Sequence, residues 1–277
     1  MKPTSLRVAA VQLRFRANVA ENAENLARWV RKLARRGIDA VLFPECATTG
    51  YAADFAALSR SEVEAGLKVV ATAARDARCH VLVGSPTFEG RRRFNSLLVY
   101  DRRGREVFRY SKIHLTERDG AVFRSGNRLA FFPIDGIPCT AIICHERRYP
   151  ELVRLPVMMG AQIVFHPNAG LDALKVSKAK RSGKDGIAVR AFENQVHYVF
   201  ANSVGPQGGG LWSAGDSKIV AANSEVLALA DNRREMAIRA TLDLSMAGRK
   251  YAREALEQPV MLRKHWRAML AACRRAL

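Results

Sequence analysis

The chain has 277 residues, 48% of them hydrophobic, which is enough for one large core, and its short apolar runs exclude a signal peptide or a membrane span. Its five cysteines are odd in number and irregularly spaced, which argues against a disulfide framework or a structural zinc site and predicts reduced thiols in a soluble, cytoplasmic protein. The net charge of +19 would attract polyanions at low salt, but no RNA-binding aromatics, finger spacing or basic arm accompany it, so a solvated basic surface is favoured over specific nucleic-acid binding.

Strands and helices are predicted to alternate along a single domain, residues 1–277, with hairpins between some of them. The predicted strands are Leu6–Leu13, Ile38–Phe43, His80–Gly84, two hairpin arms within Arg93–Ser111, Leu129–Ile134, Thr140–Ile143, Gln162–Phe165, Val196–Asn202, Lys218–Ala221, Val226–Ala230 and Met236–Leu242. The predicted helices are Glu21–Arg36, one beginning at the capping box Ser61–Glu64, Leu152–Met159, Ile187–Asn194 and a helical tail over residues 251–277. Polar loops are predicted over Thr116–Asn127 and Asp172–Gly186, and a flexible turn over Gly205–Gly210. This order predicts an α/β fold with mixed sheets.

The string CTAIICHERRYPE, residues 139–151, joins a buried strand to a polar turn. Cys144 lies where that strand ends, and Pro150 opens the helix that follows. In α/β proteins, ligands and reactive groups gather at the carboxyl edge of the sheet. Cys144 is therefore a candidate nucleophile, although most unpaired cysteines are small core hydrophobes.

Two more ionisable residues follow predicted strands. Glu45 lies in FPECATTGY after the second strand, and Lys112 lies in YSKIHL after the hairpin. A thiol is mostly protonated at neutral pH, so Glu45 is suited to take its proton, while Lys112 and a backbone N–H, that of His145, are suited to stabilise an oxyanion. Taken singly, Glu45 is better explained as an N-cap or salt-bridged residue and Lys112 as a solvated lysine, and only the two together with Cys144 favour a catalytic role.

The three strings, in this order and at these wide separations, resemble the nitrilase, or carbon-nitrogen hydrolase, superfamily. The resemblance continues through GAQIVFHPNAG and RAFENQVHYVFANS and covers about Leu6 to Tyr251. It implies a four-layer α-β-β-α sandwich, assembled as a homodimer or larger oligomer, that hydrolyses amides, carbamoyl compounds or nitriles without a metal or organic cofactor. By motif position, Glu45 matches the family's general base, Lys112 its oxyanion-side lysine and Cys144 its nucleophile.

The sequence departs from the family at the second carboxylate. Many members carry a glutamate seven residues after the lysine, and Asp119 occupies that place here, with Glu117 two residues earlier. Either Asp119 does the work with a shifted backbone, or Glu117 replaces it, or the second carboxylate is missing. The offsets of Phe123 and Gly126 from Lys112 match the family without a gap, which favours Asp119.

The residues after Cys144 bear on the substrate. CHERRYPE lacks the tryptophan of the CWE pattern associated with true nitrilases and is closer to the CNDRRWPE pattern of N-carbamoyl-D-amino acid hydrolases. Arg147 and Arg148 occupy the paired-arginine places and, with His145 and Asn168, are the candidate substrate-binding residues. A guanidinium binds a carboxylate through two hydrogen bonds, so these arginines would select an acid-bearing substrate, unless they serve only in surface ion pairs. The rival functions are an amidase for simple acyl amides and a non-catalytic basic binding protein on the same fold.

Overall fold

Two six-stranded sheets lie face to face, with helices outside each, in the computed structural model, which describes residues 3–51, 53–179 and 186–277. The strands are β1 (Ser5–Gln12), β2 (Ala40–Leu42), β3 (His80–Glu89), β4 (Arg92–Tyr100), β5 (Glu106–Ser111), β6 (Phe132–Ile134), β7 (Ile137–Ala141), β8 (Ile163–Pro167), β9 (Asp172–Ala173), β10 (His197–Ala201), β11 (Val204–Gly208), β12 (Leu211–Ala214), β13 (Lys218–Val220), β14 (Val226–Leu229) and β15 (Met236–Asp243). The helices are α1 (Val19–Ala34), α2 (Arg60–Ala77), α3 (Glu117–Gly120), α4 (Glu151–Met159), α5 (Leu174–Ala179), α6 (Ile187–Asn194), α7 (Lys250–Glu254) and α8 (Val260–Arg275).

Both large sheets are mixed. The first has the order β15-β1-β2-β3-β4-β5, with β1, β2 and β3 parallel and the other neighbours antiparallel. The second has the order β14-β13-β10-β8-β7-β6, with β7, β8 and β10 parallel. A small third sheet has the order β11-β12-β9, and its strands come from the part of the chain between β8 and β13. The predicted combination of parallel crossovers and antiparallel hairpins is confirmed.

Side chains that alternate along the strands build separate cores on the two faces of each sheet. On β1, Leu6, Val8 and Ala10 join the core between the two sheets, whereas Ala9 and Val11 pack with α1 and α2. Successive strand residues point to opposite faces, so a strand buried on both faces reads as nearly continuous apolar sequence. A third core joins the outer face of the second sheet to α4, α6 and the C-terminal helices. These three cores separate four layers, which confirms the predicted α-β-β-α sandwich.

The start of α2 corrects one prediction. Ser59, not Ser61, is its N-cap: the Ser59 side chain accepts a hydrogen bond from the backbone N–H of Glu62 at 3.4 Å, and Ser61 lies inside the helix. The pattern S-x-x-E occurs at both serines, because Glu62 follows Ser59 and Glu64 follows Ser61 at the same spacing. Local sequence therefore could not decide between the two caps.

Three segments that the sequence predicted as irregular contain ordered elements. The loop Thr116–Asn127 includes α3, and the loop Asp172–Gly186 begins with β9 and α5, while its residues 180–185 lie outside the described residues. The glycine-rich turn Gly205–Gly210 is largely strand, because β11 pairs with β12 and β12 pairs with β9. Backbone pairing with distant chain segments supplied hydrogen bonds that the local composition did not predict.

The C-terminal segment contains the two helices α7 and α8. Leu270 of α8 is buried in the core shared with α4, whereas Val260 and Met261 at its start are 62% and 77% exposed. Within the described ranges, every helix is too short or too polar to cross a bilayer.

Candidate active site

Three strand ends deliver Glu45, Lys112 and Cys144 to one place. Glu45 lies three residues after β2 and Lys112 directly follows β5, both in the first sheet, whereas Cys144 lies three residues after β7 in the second. Cys144 lines a pocket of about 1060 Å³. Glu45 and Lys112 are fully buried behind it, close enough for their charges to act on the thiol. The structure therefore brings together the three residues that the sequence singled out.

Lys112 lies between two carboxylates. Its Nζ donates to Glu45 Oε1 at 2.8 Å and to Asp119 Oδ2 at 2.7 Å, and all three side chains have no exposed surface. We refer to Glu45, Lys112 and Asp119 as the buried cluster. Unpaired charges in such a place would be very costly, so the three groups fix one another in position through charge-assisted hydrogen bonds.

Neutral donors complete the contacts of Glu45. Asn95 Nδ2 of β4 donates to Glu45 Oε1 at 2.7 Å, and the backbone N–H of Ala169 donates to Oε2 at 3.1 Å. Asn95 was not predicted as a site residue, because a polar residue inside an apolar strand carries no local signal of its partner. Ala169 adjoins the predicted Asn168, so the end of β8 contributes to the same site.

Asp119, and not Glu117, is the second carboxylate that contacts Lys112. Its Oδ1 accepts from the Tyr51 hydroxyl at 2.7 Å, and its Oδ2 accepts from the Thr116 backbone N–H at 3.0 Å in addition to Lys112. Asp119 and Thr116 form a reciprocal capping box at the start of α3, which holds the carboxylate in place. Glu117 is exposed on the first turn of the same helix. The short helix, absent from the prediction, turns the shorter aspartate towards Lys112.

Two glycines allow the backbone segments that carry these residues to approach closely. A Cβ added at Gly84 would lie 2.3 Å from the carbonyl oxygen of Pro44, next to Glu45. A Cβ added at Gly126 would lie 2.1 Å from the carbonyl oxygen of Ser111, next to Lys112. Any larger residue would push apart the strand ends that position the buried cluster.

The electrostatic environment separates the two carboxylates. Burial raises the pKa of Glu45 above its ordinary value, with the charge of Lys112 opposing the rise. Burial acts in the same direction on Asp119, but the charge and hydrogen bond of Lys112, together with the Tyr51 hydrogen bond, hold the pKa of Asp119 below its ordinary value. Glu45 is thus the carboxylate suited to exchange a proton, and Asp119 is the one suited to remain charged.

Cys144 combines a thiol of raised pKa with a backbone in a strained conformation. Burial raises the pKa of the Cys144 thiol to about 12, and the charge of Glu45 adds to the rise while Lys112 opposes it. The residue has φ of 50°, a left-handed value that is unfavourable for a side chain with a Cβ. The Cys144 carbonyl is bound to His166 Nε2 at 3.1 Å, and the Tyr198 hydroxyl lies 2.9 Å from His166 Nδ1. A buried histidine thus holds the backbone of the strained residue.

The pocket wall contains all the predicted substrate-binding residues, His145, Arg147, Arg148 and Asn168, together with Arg118. The Asn168 amide donates to Asn202 Oδ1 at 2.8 Å, so its orientation is fixed. Arg118 lies over the Tyr51 ring, 5.7 Å from its centroid, and was not predicted. We refer to Arg118, Arg147 and Arg148 as the arginine rim.

The arginine rim is free of ion pairs with the residues that the structure describes. Arg147 is partly buried, whereas Arg118 and Arg148 are exposed. The alternative that Arg147 and Arg148 serve in surface ion pairs thus gains no support from this part of the chain. The described residues also contain no group of three or more His, Cys, Asp or Glu side chains placed to hold a metal ion.

Known proteins share both the sequence pattern and the fold. The carbon-nitrogen hydrolase family matches residues 7–251. The chain is 29% identical over 241 residues to a protein named nitrilase from Pyrococcus abyssi (strain GE5 / Orsay), covering 83% of this chain and 86% of the relative. It is 27% identical over 245 residues to the 2-oxoglutaramate amidase of Bacillus subtilis (strain 168), covering 84% and 89%.

A solved structure has the same architecture. It is a mutant of the amidase from Nesterenkonia sp. AN1, a nitrilase-superfamily protein, with the acetamide moiety of fluoroacetamide covalently added at its active-site cysteine. The TM-score is 0.81 at 22% sequence identity, and the match covers 94% of this chain and 97% of that one. At this level of identity, the comparison shows that the two chains share a fold.

Proposed function

The chain belongs to the carbon-nitrogen hydrolase family, and from this premise we propose that it hydrolyses small amides or N-carbamoyl compounds through a thioester on Cys144. The observation that carries the proposal is the burial of Lys112 between Glu45 and Asp119 behind the pocket that Cys144 lines. A buried base, an ammonium and a thiol at one pocket are the groups that this reaction needs.

In the first half of the reaction, Glu45 takes the proton of the Cys144 thiol as the sulfur attacks the substrate carbonyl carbon. The carbonyl oxygen gains negative charge, which the Lys112 ammonium and the backbone N–H of His145 stabilise. Loss of one such donor typically costs roughly 3 kcal/mol of transition-state stabilisation. The C–N bond then breaks, Glu45 returns the proton to the leaving nitrogen, and ammonia or an amine departs from the thioester.

In the second half, Glu45 takes a proton from water, and the resulting hydroxide attacks the thioester carbon. The C–S bond breaks, the Cys144 sulfur recovers the proton from Glu45, and the acid product leaves. Asp119 remains ionised and holds Lys112 and, through Tyr51, one wall of the pocket. The raised pKa of Glu45 supports its use as a proton carrier in both halves.

The arginine rim supports a substrate that carries a carboxylate. Arg147 and Arg148 line the pocket beside Cys144 without a described ion-pair partner, so an anionic substrate group would gain two strong donors there. The name of the Bacillus subtilis relative, 2-oxoglutaramate amidase, fits an acid-bearing amide. We propose amides or N-carbamoyl amino acids with a carboxylate within reach of the rim, in preference to nitriles.

We also propose that the protein is a cytoplasmic homodimer or larger homo-oligomer. Apolar side chains are exposed on the outer helices: Val189 and Phe192 on α6, Tyr251 on α7, and Val260 and Met261 on α8. A monomer would leave them in water, whereas helix packing between two copies would cover them. Sedimentation at micromolar concentration should give at least a dimer, and a monomer would contradict this assignment.

The function is tested by ammonia release from a panel of N-carbamoyl amino acids, free and acid-bearing amides, and nitriles, with Cys144→Ala as the control. Turnover of amides or carbamoyl compounds that is lost in Cys144→Ala is the expected result. Turnover of nitriles alone would contradict the substrate class. No turnover anywhere, with binding of acid-bearing compounds retained in Cys144→Ala, would favour the non-catalytic alternative.

A further inference from the structure

Glu146 is a fully buried carboxylate that the reaction steps above do not use. Its Oε1 accepts hydrogen bonds from the Tyr110 hydroxyl at 2.8 Å, the Ile113 backbone N–H at 2.6 Å and the His114 backbone N–H at 3.2 Å. Its Oε2 accepts from the Ile143 backbone N–H at 2.7 Å. No cation lies among these four donors, so the carboxylate is held by neutral groups alone.

The four donors belong to the two segments that must meet for the reaction. Tyr110, Ile113 and His114 flank Lys112 at the end of β5 in the first sheet. Ile143 directly precedes Cys144, beyond the end of β7 in the second sheet. One carboxylate therefore ties the lysine segment to the cysteine segment, and no hydrogen bond that the structure describes joins these two segments except through Glu146.

The backbone at Cys144 explains why such a tie is needed. A left-handed φ of 50° at a non-glycine residue relaxes unless the surrounding structure over-determines it. Glu146 holds the residue before Cys144 through the Ile143 N–H, and His166 contacts the Cys144 carbonyl at 3.1 Å. The strained turn is thus fixed on both sides of the sulfur-bearing residue.

We propose that Glu146 is a positioning residue that sets the distance and direction between the Lys112 ammonium and the Cys144 sulfur. This inference rests on the proposed function. It predicts that losing the Glu146 tie lowers kcat rather than raising KM, because substrate still binds the pocket wall while the oxyanion moves away from Lys112.

The test compares Glu146→Gln and Glu146→Asp with two controls. Glutamine keeps the size of the side chain but turns an N–H₂ towards at least one of the N–H donors. Aspartate keeps the charge, but its side chain is one methylene group shorter, so the carboxylate lies farther from the donors. Tyr110→Phe removes only one of the four donors. Thr140→Val, on β7, removes a buried hydrogen bond from the Thr140 hydroxyl to the Ala130 carbonyl. This bond does not connect the lysine segment with the cysteine segment, so the variant controls for lost stability.

Turnover is measured per active site, with sites counted by substrate-protected alkylation of Cys144 with iodoacetamide. Glu146→Gln should lower kcat roughly 10²-fold with KM within about threefold of wild type. Glu146→Asp should fall between Glu146→Gln and wild type, and Tyr110→Phe and Thr140→Val should stay within about threefold. If Glu146→Gln does not fold, Glu146→Asp alone carries the test. A kcat per site within about threefold of wild type in the folded Glu146 variants would overturn the proposal.

Hydrogen exchange separates this proposal from the proposed function. In folded Glu146→Gln, the amides of Ile113, His114 and Ile143 should exchange at least about tenfold faster than in wild type, while the amides of α1 keep their rates. This readout needs no turnover, so it holds even if every panel substrate fails. Unchanged exchange at these amides would overturn the proposal. If exchange is faster in Glu146→Gln but the wild-type protein turns over no panel substrate, only the proposed function is contradicted.

Discussion

The buried cluster and the arginine rim face the same pocket, but the fold treats their charges in opposite ways. Lys112 has no exposed surface and contacts two carboxylates at 2.7 and 2.8 Å. Arg148, at the pocket wall, is exposed and has no ion-pair partner among the described residues. One end of the site is therefore closed and electrically satisfied before substrate arrives, and the other end remains open.

The difference follows from the cost of burying charge. An ion removed from water must be paired and hydrogen-bonded, so the fold itself fixes the geometry of Glu45, Lys112 and Asp119. An exposed guanidinium stays hydrated and gains little from a fixed partner, so it is available for a substrate group. We propose that the buried cluster serves the chemistry and that the arginine rim serves substrate selection, and we expect the two ends to respond differently to mutation.

The largest effect is expected where the cluster meets the substrate. Cys144→Ala should abolish hydrolysis of every panel substrate, because no other described thiol lines the pocket. The thermal midpoint and the sedimentation coefficient should match wild type, since removing one sulfur from a partly exposed site leaves the core intact. More than a trace of activity in a preparation free of wild-type enzyme would show that another nucleophile acts.

The next effect separates the two acidic residues of α3. Asp119→Asn should lower kcat/KM by roughly 10²-fold, because it removes a charge that holds Lys112. Glu117→Gln, on the exposed side of the same helix, should change kcat/KM by less than about threefold. Both rates are compared at equal folded fraction, measured by circular dichroism, because a broken buried ion pair also destabilises the protein. Equal small effects would mean that the chain works without a second carboxylate.

Mutation of the rim should instead change substrate preference. Arg148→Gln and Arg147→Gln should each raise KM for an acid-bearing substrate at least about tenfold, because a charge-assisted hydrogen bond is lost. KM for a neutral amide should stay within about threefold, and the exposed Arg91→Gln should change neither value. Steady-state kinetics on a matched pair, an acid and its methyl ester, measure this. An equal rise in KM for both substrates would contradict the proposal that the rim selects the substrate and the cluster carries out the chemistry.

The smallest effect is a pH dependence to which Glu45 of the cluster and Glu146 both contribute, because burial raises the pKa of each carboxyl group, that of Glu146 to about 7. kcat/KM on a neutral amide should fall as the pH drops through the raised pKa of Glu45, because protonated Glu45 cannot accept the thiol proton. The groups facing Glu45 keep their charge states in this range, since the pKa of Asp119 is lowered, that of Lys112 is raised and that of Cys144 is about 12. Arg147 and Arg148 do not titrate there, so the preference for an acid-bearing substrate should stay constant with pH above the pKa of His145, the histidine of the pocket wall, which burial lowers. If the preference for an acid-bearing substrate is lost over the same pH range in which kcat/KM falls, Glu45 takes part in substrate selection.

The sequence by itself predicted an α/β fold with mixed sheets and three residues of the candidate site. Ionisable residues just after predicted strands identified Glu45, Lys112 and Cys144. For Glu45 and Cys144, the preceding strand is largely buried and leaves a continuous apolar pattern that stops where the chain leaves the sheet. The resemblance to the carbon-nitrogen hydrolase family, whose members often carry a glutamate seven residues after the lysine, also pointed to Asp119. These are local signals, written within a few residues of the group concerned.

Only the tertiary structure decided which distant groups each of these residues contacts. Asn95 reaches Glu45 from 50 positions away, and the donors of Glu146 come from segments up to 36 positions away. The same holds for the strand β9, which forms because β12 offers its edge. Hydrophobic periodicity and capping motifs show only which side of a segment is buried and where a helix begins. A hydrogen bond between remote segments depends instead on which strand ends lie next to each other in the folded sheets.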